Sequence, residues 1–376
     1  MDVVDIRKFV DIDITTDVVK QIDSTREVTV LFTTNENITT DFYSSIDELP
    51  VTVTSSMSLY KYANSYFKNG GIKLYIVKVA DIEPTTLLPL IKALDNNYIL
   101  VAIDSVNNLE LIEVLAAQYD AWTESGVLQV YGVNEKIFIA NAPFATNLST
   151  HVSSHVAVKL IDTTNGIGEE MTIAAYLNQI DFYGNETVQD YAFTPENVYF
   201  PTNPTSMNSI VDNALTNHGN VDIKFSDTIR NVGGDLSNGE SIVNRFALIV
   251  CHQTLSQVVF NTLAQKLKGK DATTALYGTI SQELNKYLAN GYLTTDKIWT
   301  AQSVTVSKGG VTYTLIEQGT PLIKGYYISI LPYSTLTASE LAAHKCPDIY
   351  VFLADSYTIR KVTVKGKVGG SIAWME

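Results

Sequence analysis

Only two cysteines, Cys251 and Cys346, occur in the 376 residues. A disulfide framework needs more than that, so both are expected to be reduced and buried, in a chain made and folded in a cytoplasm. Neither has a second cysteine or a histidine at ligand spacing: His252 and His344 lie one and two residues away, which speaks against a metal site. No run approaches the eighteen consecutive apolar residues of a membrane span, so direct membrane insertion is not expected. Asp2, Asp5, Arg7 and Lys8 interrupt the first segment before a signal-like apolar run can form. Basic residues are scarce, 26 against 40 acidic, for a net charge of −14. A balance of that sign repels phosphate backbones and excludes nucleic acid as an expected partner.

Catalytic signatures are equally thin. There is no G-x-S-x-G elbow. GGDLSNGE (233–240) lacks the lysine of a phosphate loop, and NGG (69–71) precedes a strand instead of opening a helix. Both read as turns. His151 and His155 stand at i,i+4 spacing but lack an intervening glutamate and an obvious third ligand, so a histidine pair without metal is the better reading. No catalytic residue, metal ligand or cofactor is assigned.

What is present is a globular composition: 45% hydrophobic and 18% charged residues, with 21 tyrosines. The length suggests two or three compact units. At the N-terminus Val4, Ile6, Val10, Ile12 and Ile14 alternate with Asp5, Arg7, Asp11 and Asp13, a strand pattern broken only by Lys8 and without a local partner. From Val28 the pattern becomes strand–helix–strand. Strands are expected at 28–33, 72–79, 98–103 and 127–132, with helices at 57–67, 85–94 and 108–124. That order implies an α/β fold with a helix-covered, mostly parallel sheet.

Farther on, a strand at 155–161 and helices at 169–180 and 207–217 are expected among irregular, Gly/Asn-rich segments, with 185–206 read as loop. Two long helices follow at about 241–268 and 272–290, the second with Asp271 as a candidate N-cap and Gly291 beyond its end. From Val304 onward strands dominate around one short helix, 337–344. The last stretch, YTIRKVTVKGKV (357–368), again reads as a lone strand, carrying Arg360, Val362, Val364 and Lys365.

The segment YANSYFKNGGIKLYIVKV (62–79) resembles a stretch of contractile phage-tail sheath proteins: a helix ending in an aromatic, then N-G-G, then a strand ending in a basic residue and valine. The matching residues are Tyr66, Phe67, Asn69, Gly70, Gly71, Tyr75, Val77, Lys78 and Val79. The basic position, often arginine in the family, is lysine here. ELNKYLANGYL (283–293), a long insert, GYYISILP (325–332) and the short helix before CPDIYVF (346–352) resemble, more loosely, the C-terminal part of the compact sheath proteins.

The resemblance implies a structural subunit of the virion, assembled in the host cytoplasm and polymerising as stacked rings around a tail tube. Contraction would drive the tube through the host envelope and permit genome ejection. Partners implied are further copies of the chain, the tail tube protein, and baseplate and tail terminator proteins. The division expected is an N-terminal arm (1–20), an α/β domain (21–150), an irregular middle region (151–240), a C-terminal sheath core domain (241–356) and a C-terminal arm (357–376). Both arms would donate strands to neighbouring subunits. Their charges are complementary: residues 1–23 hold six acidic against three basic groups, and residues 357–376 four basic against one acidic. The short helix, with Glu340, His344 and Lys345 pointing away from anchors Leu336 and Leu341, is the expected tube-facing element.

Three other readings compete. A tail tube protein is disfavoured by the helices at 57–124. A sheath from a bacterial injection or secretion apparatus separates poorly from a phage sheath on sequence. A cytoplasmic α/β enzyme lacks the motifs it needs.

Overall fold

The structure, a computed structural model, describes residues 29–354 and 356 apart from 95–97, 123–134, 181–188, 193, 199–206, 226, 264–268, 296 and 343–345. Its centre is an eight-stranded sheet. The strands are β1 (Thr29–Thr33), β2 (Asp41–Tyr43), β3 (Leu74–Lys78), β4 (Leu100–Ile103), β5 (Ile137–Pro143), β6 (Val156–Ile161), β7 (Asn220–Phe225) and β8 (Thr228–Val232). Their order across the sheet is β2-β3-β1-β4-β5-β6-β7-β8. From β3 to β7 every pairing is parallel, and only the edge strands β2 and β8 run antiparallel. β1, β4 and β6 are buried along their whole length, as central parallel strands covered on both faces must be.

The expected α/β class and mostly parallel sheet are therefore present. One face is covered by α2 (Pro84–Ala93), α3 (Leu109–Trp122) and α5 (Met207–Thr216), the other by α1 (Ser58–Lys68) and α4 (Met171–Gln179). Alternate residues of each strand divide between the two cores. Val101 and Ile103 join the first, Leu100 and Ala102 the second.

The second core continues without a break into the long helices α6 (Ile242–Leu263) and α7 (Gly269–Ala289). Against α7 lies a two-stranded antiparallel sheet of β11 (Tyr326–Ile330) and β12 (Ile349–Leu353). A ribbon built on β9 (Val304–Lys308) and β10 (Val311–Ile316) covers part of its outer side, where Trp299 meets Phe352 edge-on.

Several expectations need correction. The segment 151–240 is not an irregular unit, because β6, β7 and β8 are hydrogen-bonded into the sheet of 29–143 and the sheet crosses the boundary expected at 150. Strand β5 was not anticipated, and the strand expected at 127–132 lies outside the described residues. The β7–β8 hairpin was hidden by its Asn- and Gly-rich setting. Asp271 sits inside helix α7 and is not its N-cap. Cys251 is buried and free as expected, whereas Cys346 is half-buried.

Candidate functional site

The NGG turn ends α1 and acts as a docking point. Gly70 has φ +90°, a conformation open to glycine at little steric cost, and a Cβ on Gly71 would meet the Tyr66 ring at 2.3 Å. Asn69 exchanges hydrogen bonds with the backbone of Asn197, accepting at 2.7 Å and donating at 3.3 Å. Gln179 of α4 donates to the Asn69 carbonyl at 2.8 Å. The turn thus ties α1 to α4 and to the segment around residue 197, a packing role and not an anion cradle.

In open α/β sheets ligands bind beyond the C-terminal strand ends where the chain order reverses, here between β1 and its neighbours. That place is filled by the chain's own side chains. Thr33 donates to Asp104 at 2.7 Å, and the Tyr62 hydroxyl of α1 donates to the Ser105 carbonyl at 2.8 Å. Asn141 donates to the same carbonyl at 2.9 Å and to Glu170, at the start of α4, at 2.5 Å. A shallow cleft of about 440 Å³ at the end of β5, lined by Phe144, Ala145, Thr146, Asn147, Ser209, Ile210 and Asn213, carries no titratable side chain.

Burial pushes the Glu170 carboxyl up to about 7. An acid raised in this way keeps a proton in the folded state that the unfolded chain gives up near 4.5. Its contribution to stability is complete below pH 4.5 and is lost as pH rises through about 7, a change of about 3 kcal/mol. Glu170→Gln is expected to flatten the fall of melting temperature between pH 5 and pH 8, and a variant with the wild-type slope refutes the assignment.

The histidine pair is part of an ion network. His151 meets Glu113 at 2.8 Å. His155, at the entry to β6, meets Asp120 of α3 at 3.1 Å and Glu135 at 2.8 Å, and Arg245 of α6 bridges Glu135 and Glu240 at 2.7 and 2.6 Å. Burial opposes charging of His155, but hydrogen bonds to Asp120 and Glu135 carry it up to about 9. The network pins α6 to the sheet. Among the described residues no group of three or more His, Cys, Asp or Glu side chains could hold a metal ion.

A second, fully enclosed cluster was not legible in the sequence. Lys159, in the middle of β6, is 0% exposed. Its Nζ donates to Thr172 and Glu196 at 2.5 Å each and to the Tyr191 hydroxyl at 3.2 Å, and lies 2.9 Å from Asp222 Oδ2 of β7. Tyr191 also donates to Glu196. Glu196 arrives on a segment that adds to the edge of β8: Glu196 N–H donates to Ile229 at 3.0 Å, and Asn231 N–H to Thr194 at 3.1 Å. Burial opposes the Lys159 ammonium, yet Asp222 and Glu196 hold it well above the usual lysine range. Burial, then the Glu196 carboxylate, push Asp222 well up.

Of the residues expected at assembly surfaces, the arm positions Val4, Ile6, Val10, Ile12 and Ile14, and Arg360, Val362, Val364 and Lys365, lie outside the described residues, as do His344 and Lys345 of the tube-facing helix. The described part of that helix is α8 (Ala338–Ala342). Glu340 does not simply point away. It accepts from the Thr337 N–H at 2.8 Å while its own N–H donates to the Thr337 hydroxyl at 3.2 Å, a capping box. It also lies 3.4 Å from Lys308, which pairs with Asp348 at 2.9 Å. Leu336 is buried as an anchor, but Leu341 is 49% exposed, so one anchor and the Lys308 contact hold α8 in place. Among the described residues neither outer edge of the β11–β12 sheet carries a further strand.

No protein-family model matches the chain, and no curated protein matches it. Among solved structures, its fold is similar to that of a chain from the six-fold symmetrised cryo-EM structure of the anti-feeding prophage baseplate, with a TM-score of 0.61 at 14% identity over 93% of this chain and 98% of that one. It is also similar to a chain from the anti-feeding prophage baseplate in its contracted state, with a TM-score of 0.58 at 13% identity over 94% and 96%. At such identities the likeness is one of fold.

Proposed function

We propose that the chain is a structural subunit of a contractile apparatus, the sheath subunit that polymerises as a helical tube around an inner tube and contracts to drive that tube through an envelope. The observation that carries this reading is the fold likeness over nearly the whole of both chains to components of the anti-feeding prophage baseplate, one of them in a contracted particle. The β11–β12 sheet supports it. Among the described residues both edges of this short sheet are open, a liability in a free subunit and a receptor in a polymer, where a strand from a neighbouring copy adds to each. The acidic 1–20 and basic 357–376 segments are the strands we assign to those edges.

Because the two structures reported above come from an anti-feeding prophage, a sheath of a bacterial injection apparatus is the second reading, next to a phage tail with genome ejection. The subunit is read as non-enzymatic, and the side chains packed into the crevice at the strand ends favour that. Negative-stain electron microscopy of the purified chain is expected to show striated hollow tubes or stacked rings. A monodisperse small particle at high concentration overturns the proposal.

A further inference from the structure

We propose that Lys159 and Asp222 are joined in the folded chain by an intramolecular isopeptide bond, formed with Glu196 as the proton carrier, which cross-links β6 to β7.

The geometry is that of a reactive pair. Lys159 stands opposite Asn220 in the parallel ladder, and Asp222, two residues on, faces the same side of the sheet. Nζ lies 2.9 Å from Asp222 Oδ2, an ion-pair contact without hydrogen-bond geometry, and the Asp222 carboxyl also interacts with that of Glu196. The nitrogen is thus held against the carboxyl group by the ion pair, within reach of its carbon. Such fixed proximity replaces an encounter between separate molecules and removes much of the barrier to acyl transfer.

Protonation states favour the same step. One ammonium faces two carboxyl groups, Glu196 and Asp222, in an enclosed site, with Glu169 and Glu170 nearby. Two carboxylates against one cation would leave a buried net charge, so one proton stays on the pair. Asp222, pushed up by burial, holds it, and a carboxylic acid can lose its hydroxyl where a carboxylate cannot. Lys159 rests as the ammonium, so Glu196, accepting from Nζ at 2.5 Å, must first take a proton.

The freed amine attacks Cγ of Asp222, forming the C–N bond. Glu196 passes its proton to the departing hydroxyl and then takes the remaining proton from nitrogen. Lys159 ammonium, Asp222 acid and Glu196 carboxylate become one secondary amide, one water and Glu196 acid. No oxidant or co-reactant is needed, and a buried ion pair is replaced by a neutral amide. Asn231 pairs directly with Asp222 across the β7–β8 ladder. It is fully buried, and both polar atoms of its side chain are without a partner. In the resting state its Nδ2 donates to neither Asp222 oxygen, and the oxyanion that develops on Asp222 during the reaction is the acceptor we assign to it.

The test is mass spectrometry of the full chain, denatured and reduced. The mass is expected to fall one water below that of the sequence, and peptide mapping should return the β6 and β7 peptides joined through Lys159 and Asp222. Lys159→Arg and Asp222→Ala should give the full mass. Glu196→Gln should keep the circular dichroism of the fold but slow bond formation by about 100-fold or more. A folded wild-type chain carrying the full sequence mass overturns the proposal, even if every variant fails to fold. So does a linkage from Lys159 to Glu196, or water loss that persists in Lys159→Arg.

Discussion

Deleting residues 1–20 or residues 357–376 is expected to leave a folded, soluble body that no longer polymerises. Among the described residues, the buried members of both cores lie between Val30 and Tyr326. The β11–β12 sheet, in contrast, ends at open edges on both sides among the described residues. Strand addition there forms backbone hydrogen bonds at each step along the strand, and losing one donor removes that whole set from every subunit contact. Sedimentation should show a change from large assemblies to a single small species at unchanged melting temperature. Tubes of normal length from either truncation would mean that the deleted segment is not a linker.

Replacing Lys159 with methionine is expected to cost at least about 3–5 kcal/mol, because Glu196 and Asp222 would remain buried with neither a counter-charge nor the amide bond to Lys159. Urea unfolding should show this as a lower midpoint, with a steeper slope because the unfolded variant, free of the β6–β7 cross-link, exposes more surface. The double variant Lys159→Met/Asp222→Leu should recover part of the loss, since a well-packed apolar pair carries no desolvation penalty. A single-variant loss below about 1 kcal/mol would show that the acids are relieved in some other way. The consequence reaches beyond stability. The cluster holds the segment of Thr194 to Asn197 on β8 and, through Asn197, on the NGG turn.

The contrast between Lys159 and its neighbours shows where sequence reasoning reaches its limit. Val156 to Ile161 reads as a strand because five of its six residues are apolar, and the structure agrees. Nothing local distinguishes Lys159 from a lysine that turns outward at a sheet edge, because the groups that keep it buried come from another loop and another strand. Strand β5 was missed for a related reason. Its apolar run is interrupted by Asn141 and closed by Pro143, two residues that argue against a central strand. In the fold Asn141 is satisfied by Ser105, Asn108 and Glu170, and Pro143 falls at the strand's end. The hairpin β7–β8 likewise carries buried Asn220, Asp222 and Asn231, whose polarity reads as loop until their surroundings are known.

Local pattern was enough for the α/β class, the alternation of strand and helix from 29 to 122, the long helices α6 and α7, and the absence of a recognisable catalytic motif. Those features depend on periodicity and turn chemistry, which act over a few residues. The inclusion of 151–240 in the main sheet, the filled crevice at the strand ends, the capping role of Glu340 and the Lys159 cluster depend on which distant residues meet. Burying a polar group is costly unless a partner satisfies it, and the partner is supplied by packing far along the chain.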